Sequence, residues 1–193
     1  MLARLRQLLN KYILVIGKLI ARTGLSPNII TLLTLLFSIF ALLSIALYSS
    51  TILLLLFILL SSIMDVLDGA VARASGKTTR FGAFLDSTVD RLADALIIYS
   101  LKFLGFSIDL VFILIILSFM ISYTRSRAES LGIKMEGVGL IERAERLIII
   151  MLIVLFSLFN QFISLILLYV LIILSLITLC QRIFYVYKNL RIH

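Results

Sequence analysis

Long apolar runs, broken only briefly by polar residues, limit how this chain can fold. Hydrophobic residues make up 62% of its 193 positions, and the mean hydropathy of +1.20 lies far above that of soluble domains. This composition indicates an integral membrane protein. Six runs can form helical spans once they extend into flanking residues: 29–48, 51–64, 92–104, 110–123, 147–159 and 162–180. We therefore predict an all-α protein with six transmembrane helices.

The first 24 residues differ from the rest because they mix apolar side chains with basic ones at helical spacing. The basic residues that can share one helical face are Arg4, Arg6, Lys11, Lys18 and Arg22. This pattern predicts an amphipathic juxtamembrane helix (1–24) that precedes the six-helix domain (25–193). A cleaved signal peptide is disfavoured, since basic residues continue past Lys11 and no small-residue cleavage site follows.

The distribution of charge predicts the orientation of the spans. The chain has 18 basic and 10 acidic residues, a formal net charge of +8. Almost all the basic residues fall on one side of the six spans, whereas the opposite loops have only Lys102 nearby. The positive-inside rule therefore places both termini, and the aspartate-containing segment 65–90, on the cytoplasmic side of the cell membrane. Because the charge follows membrane topology, we expect no nucleic-acid partner.

Four aspartates lie at the ends of the second and third predicted spans, where an apolar helix would otherwise continue. Asp65 and Asp68 are three residues apart, and Asp86 and Asp90 are four apart, so each pair projects from one helical face. An ionised carboxylate at membrane depth is costly unless it is paired, coordinated or hydrated. Two facing acidic pairs offer the oxygen ligands that Mg²⁺ prefers, and two such ions can clamp a phosphoryl group. The spacing predicts a cation site.

Small and basic residues beside these carboxylates suit a phosphate ligand. Gly69 and Gly82 leave room for a ligand or another helix to approach the backbone. Arg73 can hold a phosphate through two parallel hydrogen bonds, although positive-inside topology alone would also explain an arginine there.

The string from Asp65 to Asp90 is D-x-x-D-G-x-x-A-R, eight residues, then G-x-x-x-D-x-x-x-D. It resembles the signature of the CDP-alcohol phosphotransferase family at every fixed position. The resemblance implies a magnesium-dependent reaction, with two ions expected and Mn²⁺ as a possible substitute. An acceptor hydroxyl would attack the β-phosphate of a CDP-lipid and release CMP. The resemblance also implies that Asp65, Asp68, Asp86 and Asp90 bind metal, with Asp90 acting in addition as the general base.

A second stretch of similarity precedes the first span. Residues 24–31, Gly-Leu-Ser-Pro-Asn-Ile-Ile-Thr, resemble the family pattern G-x-[ST]-P-[ND]-x-x-[ST], although Ser26 and Pro27 also make a good helix start. A solvated loop would explain Thr79 equally well. The resemblance assigns binding of the nucleotide to Asn28, Ile29, Ile30, Thr31, Asp68, Gly69, Ala72, Arg73, Thr79 and Gly82.

Between the fourth and fifth predicted spans lies a second basic cluster, which suggests an anionic acceptor. Residues 122–129, 141–147 and 178–182 resemble the inositol-phosphate branch of the family, the bacterial phosphatidylinositol phosphate synthases and archaeal archaetidylinositol phosphate synthases. Arg125 replaces a commoner lysine, which keeps the charge but changes the donor geometry. Positive-inside topology and local pairs such as Glu142 with Arg146 would also explain these arginines. The resemblance assigns inositol 1-phosphate to Ser122, Arg125, Arg127, Arg146 and Arg182.

Other functions stay open at the level of sequence. Glycerol 3-phosphate, serine or free inositol would suit the same aspartate motif, and the apolar spans do not distinguish a diacylglycerol donor from an archaeol donor. A divalent-metal transporter is a more distant alternative, because intramembrane carboxylates also line ion paths. A transporter, however, would spread its carboxylates through the membrane rather than gather them at one end. The family resemblance further implies a homodimer.

Overall fold

The computed structural model describes residues 13–191, and this part of the chain is built from helices joined by short connections, with no strand. The all-helical prediction is confirmed. Helix α1 covers 13–22. The helices that follow it are α2 (Pro27–Tyr48), α3 (Thr51–Ser75), α4 (Arg80–Ser100), α5 (Ile108–Ser130), α6 (Arg143–Ser157) and α7 (Gln161–Leu190), with a short 3-10 helix (Leu101–Leu104) after α4.

Four of these helices, α2, α3, α5 and α7, are long and apolar enough to cross a membrane. The other two predicted spans differ from them for separate reasons. Helix α4 carries Asp86, Asp90, Arg91 and Asp94 within about two and a half turns, and α6 has only 15 residues. A helix of that length extends about 22 Å, short of the roughly 30 Å hydrocarbon core. The count of six spans therefore stays a prediction.

Only part of the predicted juxtamembrane helix falls within the described residues, because 1–12 lie outside them. Leu14, Val15, Ile16 and Leu19 of α1 are exposed. Gly17 is buried against α3, where a Cβ atom added to it would lie 2.9 Å from the carbonyl carbon of Ala70. Glycine thus permits α1 to approach α3 within the acidic motif, two residues after Asp68. The basic face and the domain boundary at residue 24 stay predictions.

Helix caps explain how the two acidic helix ends come together. Helix α3 ends at Gly76, whose φ of 65° favours glycine. Three residues later the Thr79 hydroxyl accepts a 2.9 Å hydrogen bond from the Gly82 amide and starts α4. Ser26 occupies the equivalent position before α2 but makes no capping bond there. The tight 76–79 connection returns the chain beside the C-terminal end of α3.

The helices pack α2 against α3 and α4, α5 against α4 and α7, and α6 against α3 and α7. A buried core that includes Leu54, Ile58, Ile97 and Leu168 fills the space between them. The α2–α3 contact also contains a polar pair, in which the hydroxyls of Ser38 and Ser61 lie 2.9 Å apart. Small polar residues of this kind let membrane helices approach closely and satisfy each other's hydrogen bonds.

Candidate active site

Three of the four predicted aspartates meet where α3 and α4 lie side by side. Asp65, Asp86 and Asp90 each contribute one carboxylate oxygen to a group whose members all lie within 4.8 Å of one another. We call these three residues the acidic cluster. Its side chains are half-buried, and its donors are all oxygens, the set that suits a hard divalent cation. The Oδ1 atom of Asp90 is buried and lies 3.0 Å from Arg143 Nη1 without forming a hydrogen bond with it. The residues present therefore fit a metal.

Asp68 is not one of the three clustered aspartates, although it belongs to the same motif and lines the same cavity as Asp86. It is buried, and its Oδ2 atom accepts a 2.9 Å hydrogen bond from the Thr31 hydroxyl of α2. This bond ties the two predicted nucleotide-binding segments together. The predicted role of Asp68 as a metal ligand stays a prediction.

A cavity of about 270 Å³ opens between the start of α2, the end of α3 and the start of α4. We call it the donor cavity. Ile29 and Ile30, although predicted to contact the nucleotide, do not line this cavity; Ile29 is exposed and Ile30 packs against Leu67 and Val71. Lys77, absent from the prediction, lines it. Eight predicted nucleotide residues line the cavity: Asn28, Thr31, Asp68, Gly69, Ala72, Arg73, Thr79 and Gly82.

The two glycines of the motif leave space that neighbouring side chains use. A Cβ atom added to Gly82 would lie 3.0 Å from the Thr79 hydroxyl and 3.2 Å from the Asn28 side-chain oxygen. At Gly69 it would lie 3.2 Å from the Arg73 guanidinium. Larger residues at either position would push polar groups that line the donor cavity, which is a physical reason for glycine in both places.

A larger cavity of about 670 Å³ lies on the other side of the acidic cluster. We call it the acceptor cavity. Arg127, although predicted to bind the acceptor, is not among its lining residues; its side chain is exposed and lies 3.5 Å from the Ser130 hydroxyl. Asp86 is the one described residue that lines both cavities. The four other predicted acceptor residues line the acceptor cavity: Ser122, Arg125, Arg146 and Arg182.

The arginines of the acceptor cavity are held in different ways. Arg125 pairs with Glu129 at 3.0 Å in a partly exposed position. Arg182 is buried and donates to two backbone carbonyls, to Ile121 at 2.7 Å and to Val138 at 2.9 Å. Arg125 can therefore move towards a ligand, whereas Arg182 is fixed by α5 and the 131–142 connection.

Arg146 does not form the local pair with Glu142 that the sequence suggested. Glu142 is instead the N-cap residue of α6, and its backbone amide donates a 3.1 Å hydrogen bond to the Glu145 side chain. Arg146 pairs with Asp94, whose Oδ2 atom lies 2.5 Å from Nη2. Its remaining donors, Nε and Nη1, are buried without a partner among residues 13–191.

Sequence reasoning missed Arg143 and Asp94 as parts of the site. The Nη1 atom of Arg143 lies 2.6 Å from Asp65 Oδ1 and 3.0 Å from Asp90 Oδ1, and its Nε atom lies 3.1 Å from Asp94 Oδ1. Arg143 begins α6, where the helix macrodipole disfavours a cation, so the three carboxylates compensate for an unfavourable position. The spacing of four residues between Asp90 and Asp94 was the one signal that could have indicated this network.

Comparisons with known proteins identify the family of the chain. Residues 24–180 match the family model for CDP-alcohol phosphatidyltransferase. Archaetidylinositol phosphate synthase of Pyrococcus horikoshii is 40% identical over 152 residues, which cover 78% of this chain and 80% of that protein. The synthase of the same name from Aeropyrum pernix is 36% identical over 176 residues, which cover 91% and 90% respectively.

Solved structures show the same fold. The crystal structure of Mycobacterium tuberculosis phosphatidylinositol phosphate synthase with CDP-DAG bound matches with a TM-score of 0.79 at 31% identity, covering 92% of this chain and 94% of that one. The same enzyme in complex with manganese and citrate matches with a TM-score of 0.79 at 32% identity, covering 91% and 88%. Since the family match spans most of the sequence, this chain belongs to the CDP-alcohol phosphatidyltransferases, transferases of phospholipid biosynthesis.

Proposed function

We propose that this protein transfers a phosphatidyl-type group from a CDP-lipid to inositol 1-phosphate and releases CMP. One observation carries the proposal: the donor cavity and the arginine-lined acceptor cavity meet at a single carboxylate, Asp86. A phosphorylated donor and an anionic acceptor would therefore approach the acidic cluster from opposite sides. The names of the two archaeal relatives and the mycobacterial structure support inositol phosphate as the acceptor.

The donor cavity suits the nucleotide end of a CDP-lipid. Arg73 and Lys77 provide positive charge for the two phosphates, while Asn28, Thr79 and Gly82 offer polar side chains and open backbone. CDP-DAG bound to the mycobacterial relative supports this class of donor. The exposed apolar faces of the helices would accept diacylglycerol and archaeol chains alike. The positive-inside pattern supports a cytoplasmic position for the site, and the family resemblance supports a homodimer.

The acidic cluster would hold Mg²⁺, with Mn²⁺ as a substitute, and Asp68 would complete the ligand set if two ions bind. Bound there, the metal would neutralise the pyrophosphate and stabilise the leaving phosphate oxygen. A manganese complex of the mycobacterial relative supports a divalent cation in this fold.

Asp90 is the residue that we propose as general base. Its carboxylate, which lines the acceptor cavity, can accept the proton of the acceptor hydroxyl as the hydroxyl oxygen forms a bond to the β-phosphorus of the donor. The bond between the β-phosphorus and the oxygen of CMP breaks in the same reaction, and CMP leaves with the bonding electrons. Arg143, which contacts both Asp65 and Asp90, orients the base without itself exchanging a proton.

The acceptor cavity favours a phosphorylated acceptor over serine or free inositol. Arg146 is 1% exposed and leaves two donors without partners among residues 13–191. Buried donors of this kind are costly unless a ligand or water satisfies them. The phosphate of inositol 1-phosphate would bind between Ser122, Arg125, Arg146 and Arg182. The inositol ring would then place one of its hydroxyls near Asp90.

The direct test is CMP release by the purified protein with a CDP-lipid, Mg²⁺ and one acceptor at a time. We expect inositol 1-phosphate to exceed free inositol and serine by about 100-fold in kcat/KM, because the buried arginines stay unpaired without a phosphate. Glycerol 3-phosphate also carries a phosphate, so it is the most demanding comparison. A higher kcat/KM with any of the other three acceptors would contradict the proposed specificity.

Arg146→Ala should raise the KM for inositol 1-phosphate by about tenfold to a hundredfold, because a charge-assisted bond to the acceptor phosphate is lost. The KM for the CDP-lipid should change less than about twofold, since Arg146 does not line the donor cavity. Arg191→Ala is the control, because Arg191 is an exposed arginine outside both cavities. An effect confined to the donor KM would contradict the assignment of Arg146.

A further inference from the structure

Asp94 is an enclosed carboxylate to which neither the motif nor the proposed reaction assigns a role. It is 3% exposed and lies one helical turn beyond Asp90, on the same face of α4. A buried carboxylate needs a partner for its charge, because the cost of leaving it unpaired is several kcal/mol or more. Asp94 has partners on two other helices.

Both carboxylate oxygens of Asp94 are fully engaged. Oδ1 lies 3.1 Å from Arg143 Nε. Oδ2 lies 2.5 Å from Arg146 Nη2 and accepts a 3.2 Å hydrogen bond from the Ser118 hydroxyl of α5. One acidic side chain of α4 therefore holds two basic side chains of α6 at once.

These two arginines face different parts of the site. Arg143 extends from Asp94 to the acidic cluster, where it contacts Asp65 and Asp90. Arg146 lines the acceptor cavity with Nε and Nη1 left unpaired. Asp94 is thus the common contact between the cluster that would bind metal and the group that would bind the acceptor.

We propose that Asp94 is a positioning residue that fixes Arg146 for an anionic acceptor and holds Arg143 against Asp90. This inference rests on the proposed function, because it assigns the acceptor phosphate to Arg146. Asp94 lies in the wall of the acceptor cavity, but it is 3% exposed and both its oxygens are engaged, so we assign its action to the two arginines.

A purely structural role would leave a different pattern of contacts. A buried ion pair adds little net stability compared with apolar residues of similar size, and it is least favourable when some of its donors stay unsatisfied. Arg146 lines the acceptor cavity and keeps only one nitrogen on Asp94, while the other two are buried without a partner among residues 13–191. Partial engagement of this kind is what a ligand-binding arginine requires.

The first test measures binding of inorganic phosphate, so that it does not depend on which acceptor the enzyme uses. Purified protein in detergent with Mg²⁺ is titrated with inorganic phosphate and followed by ³¹P NMR. We expect Asp94→Asn and Arg146→Ala each to weaken phosphate binding about tenfold. The double variant should have a phosphate dissociation constant within about twofold of that of Arg146→Ala, because Asp94 acts through Arg146. Additive effects, or no phosphate binding by the wild-type protein, would overturn the inference.

Steady-state kinetics provide a readout that a merely structural defect would not give. Asp94→Asn should raise the acceptor KM and leave the CDP-lipid KM within about twofold of the wild-type value, since Asp94 does not line the donor cavity. Loss of folded enzyme would instead lower kcat and leave both KM values unchanged. An equal rise in both KM values, or a fall in kcat alone, would overturn the inference.

Two further variants keep the test decisive if Asp94→Asn does not fold. Asp94→Glu keeps the charge but moves it by one methylene, so it should restore part of the phosphate affinity, and the cycle with Arg146→Ala can be repeated with it. Asp109→Asn is the control for loss of a carboxylate, because Asp109 begins α5 and contacts Ser107 outside both cavities. It should bind phosphate like the wild type. If phosphate binding follows this pattern but inositol 1-phosphate yields no CMP, the proposed function fails while the role of Asp94 stands.

Discussion

Asp90→Asn is expected to lower kcat by about a thousandfold or more, the scale on which a positioned general base contributes. The amide keeps the size of the carboxylate but is a very poor proton acceptor. Asp90 lines the acceptor cavity and not the donor cavity, so binding of the CDP-lipid should stay measurable. The loss should therefore appear in turnover rather than in donor affinity.

The measurement is CMP release, combined with equilibrium binding of the CDP-lipid to the same preparation. Asp109→Asn serves as the control. It makes the same change from carboxylate to amide, but at an exposed aspartate that lies outside both cavities. Unchanged kcat in Asp90→Asn would remove Asp90 from the role of base. A parallel loss of donor binding would show instead that the residue supports the donor cavity.

Removal of divalent cations should abolish turnover, and Asp86→Asn should raise the concentration of Mg²⁺ needed for activity by about a hundredfold. Asp86 contributes one of the three clustered oxygens and is the one described residue that lines both cavities. Substitution of Asp86 should therefore weaken metal binding more than substitution of a cavity-lining residue outside the acidic cluster.

Binding of Mn²⁺, followed by electron paramagnetic resonance, measures this effect without relying on turnover. The wild-type protein should bind Mn²⁺ tightly, and Asp86→Asn should bind it weakly. Glu136→Gln is the matched control, since Glu136 is an exposed carboxylate in the 131–142 connection outside both cavities. Equal Mn²⁺ affinity in wild type and Asp86→Asn would rule out Asp86 as a ligand.

The parts of the site that lie close together along the chain were predictable from the sequence. Helical spacing predicts that Asp86 and Asp90 share a face, and they do meet in the acidic cluster with Asp65. The family pattern similarly predicted most of the lining of the donor cavity, because two adjacent helix ends and the start of α2 supply it. Ile30 is an exception. Its side chain packs into a small apolar cluster with Leu67 and Val71 instead of lining the cavity.

Contacts between distant helices were not predictable from one sequence. Asp94 and Arg146 are separated by 52 positions, so no spacing rule connects them. The local rule instead suggested Glu142 as the partner of Arg146, but Glu142 is needed to cap α6. Hydrophobicity alone likewise says little about α4. Its residues Asp90 and Asp94 pair with Arg143 of α6, and both line the acceptor cavity.

The meeting of the donor and acceptor cavities at one carboxylate has a consequence for evolution. Under the proposed assignment, the residues of α5, α6 and α7 that line the acceptor cavity could change without altering the donor cavity, which α2, α3, α4 and the 76–79 connection form. A lineage can thus acquire a new headgroup by substitutions in half of the protein while it keeps the same activated lipid. One ancestral liponucleotide enzyme can in this way diversify the polar surface of a membrane.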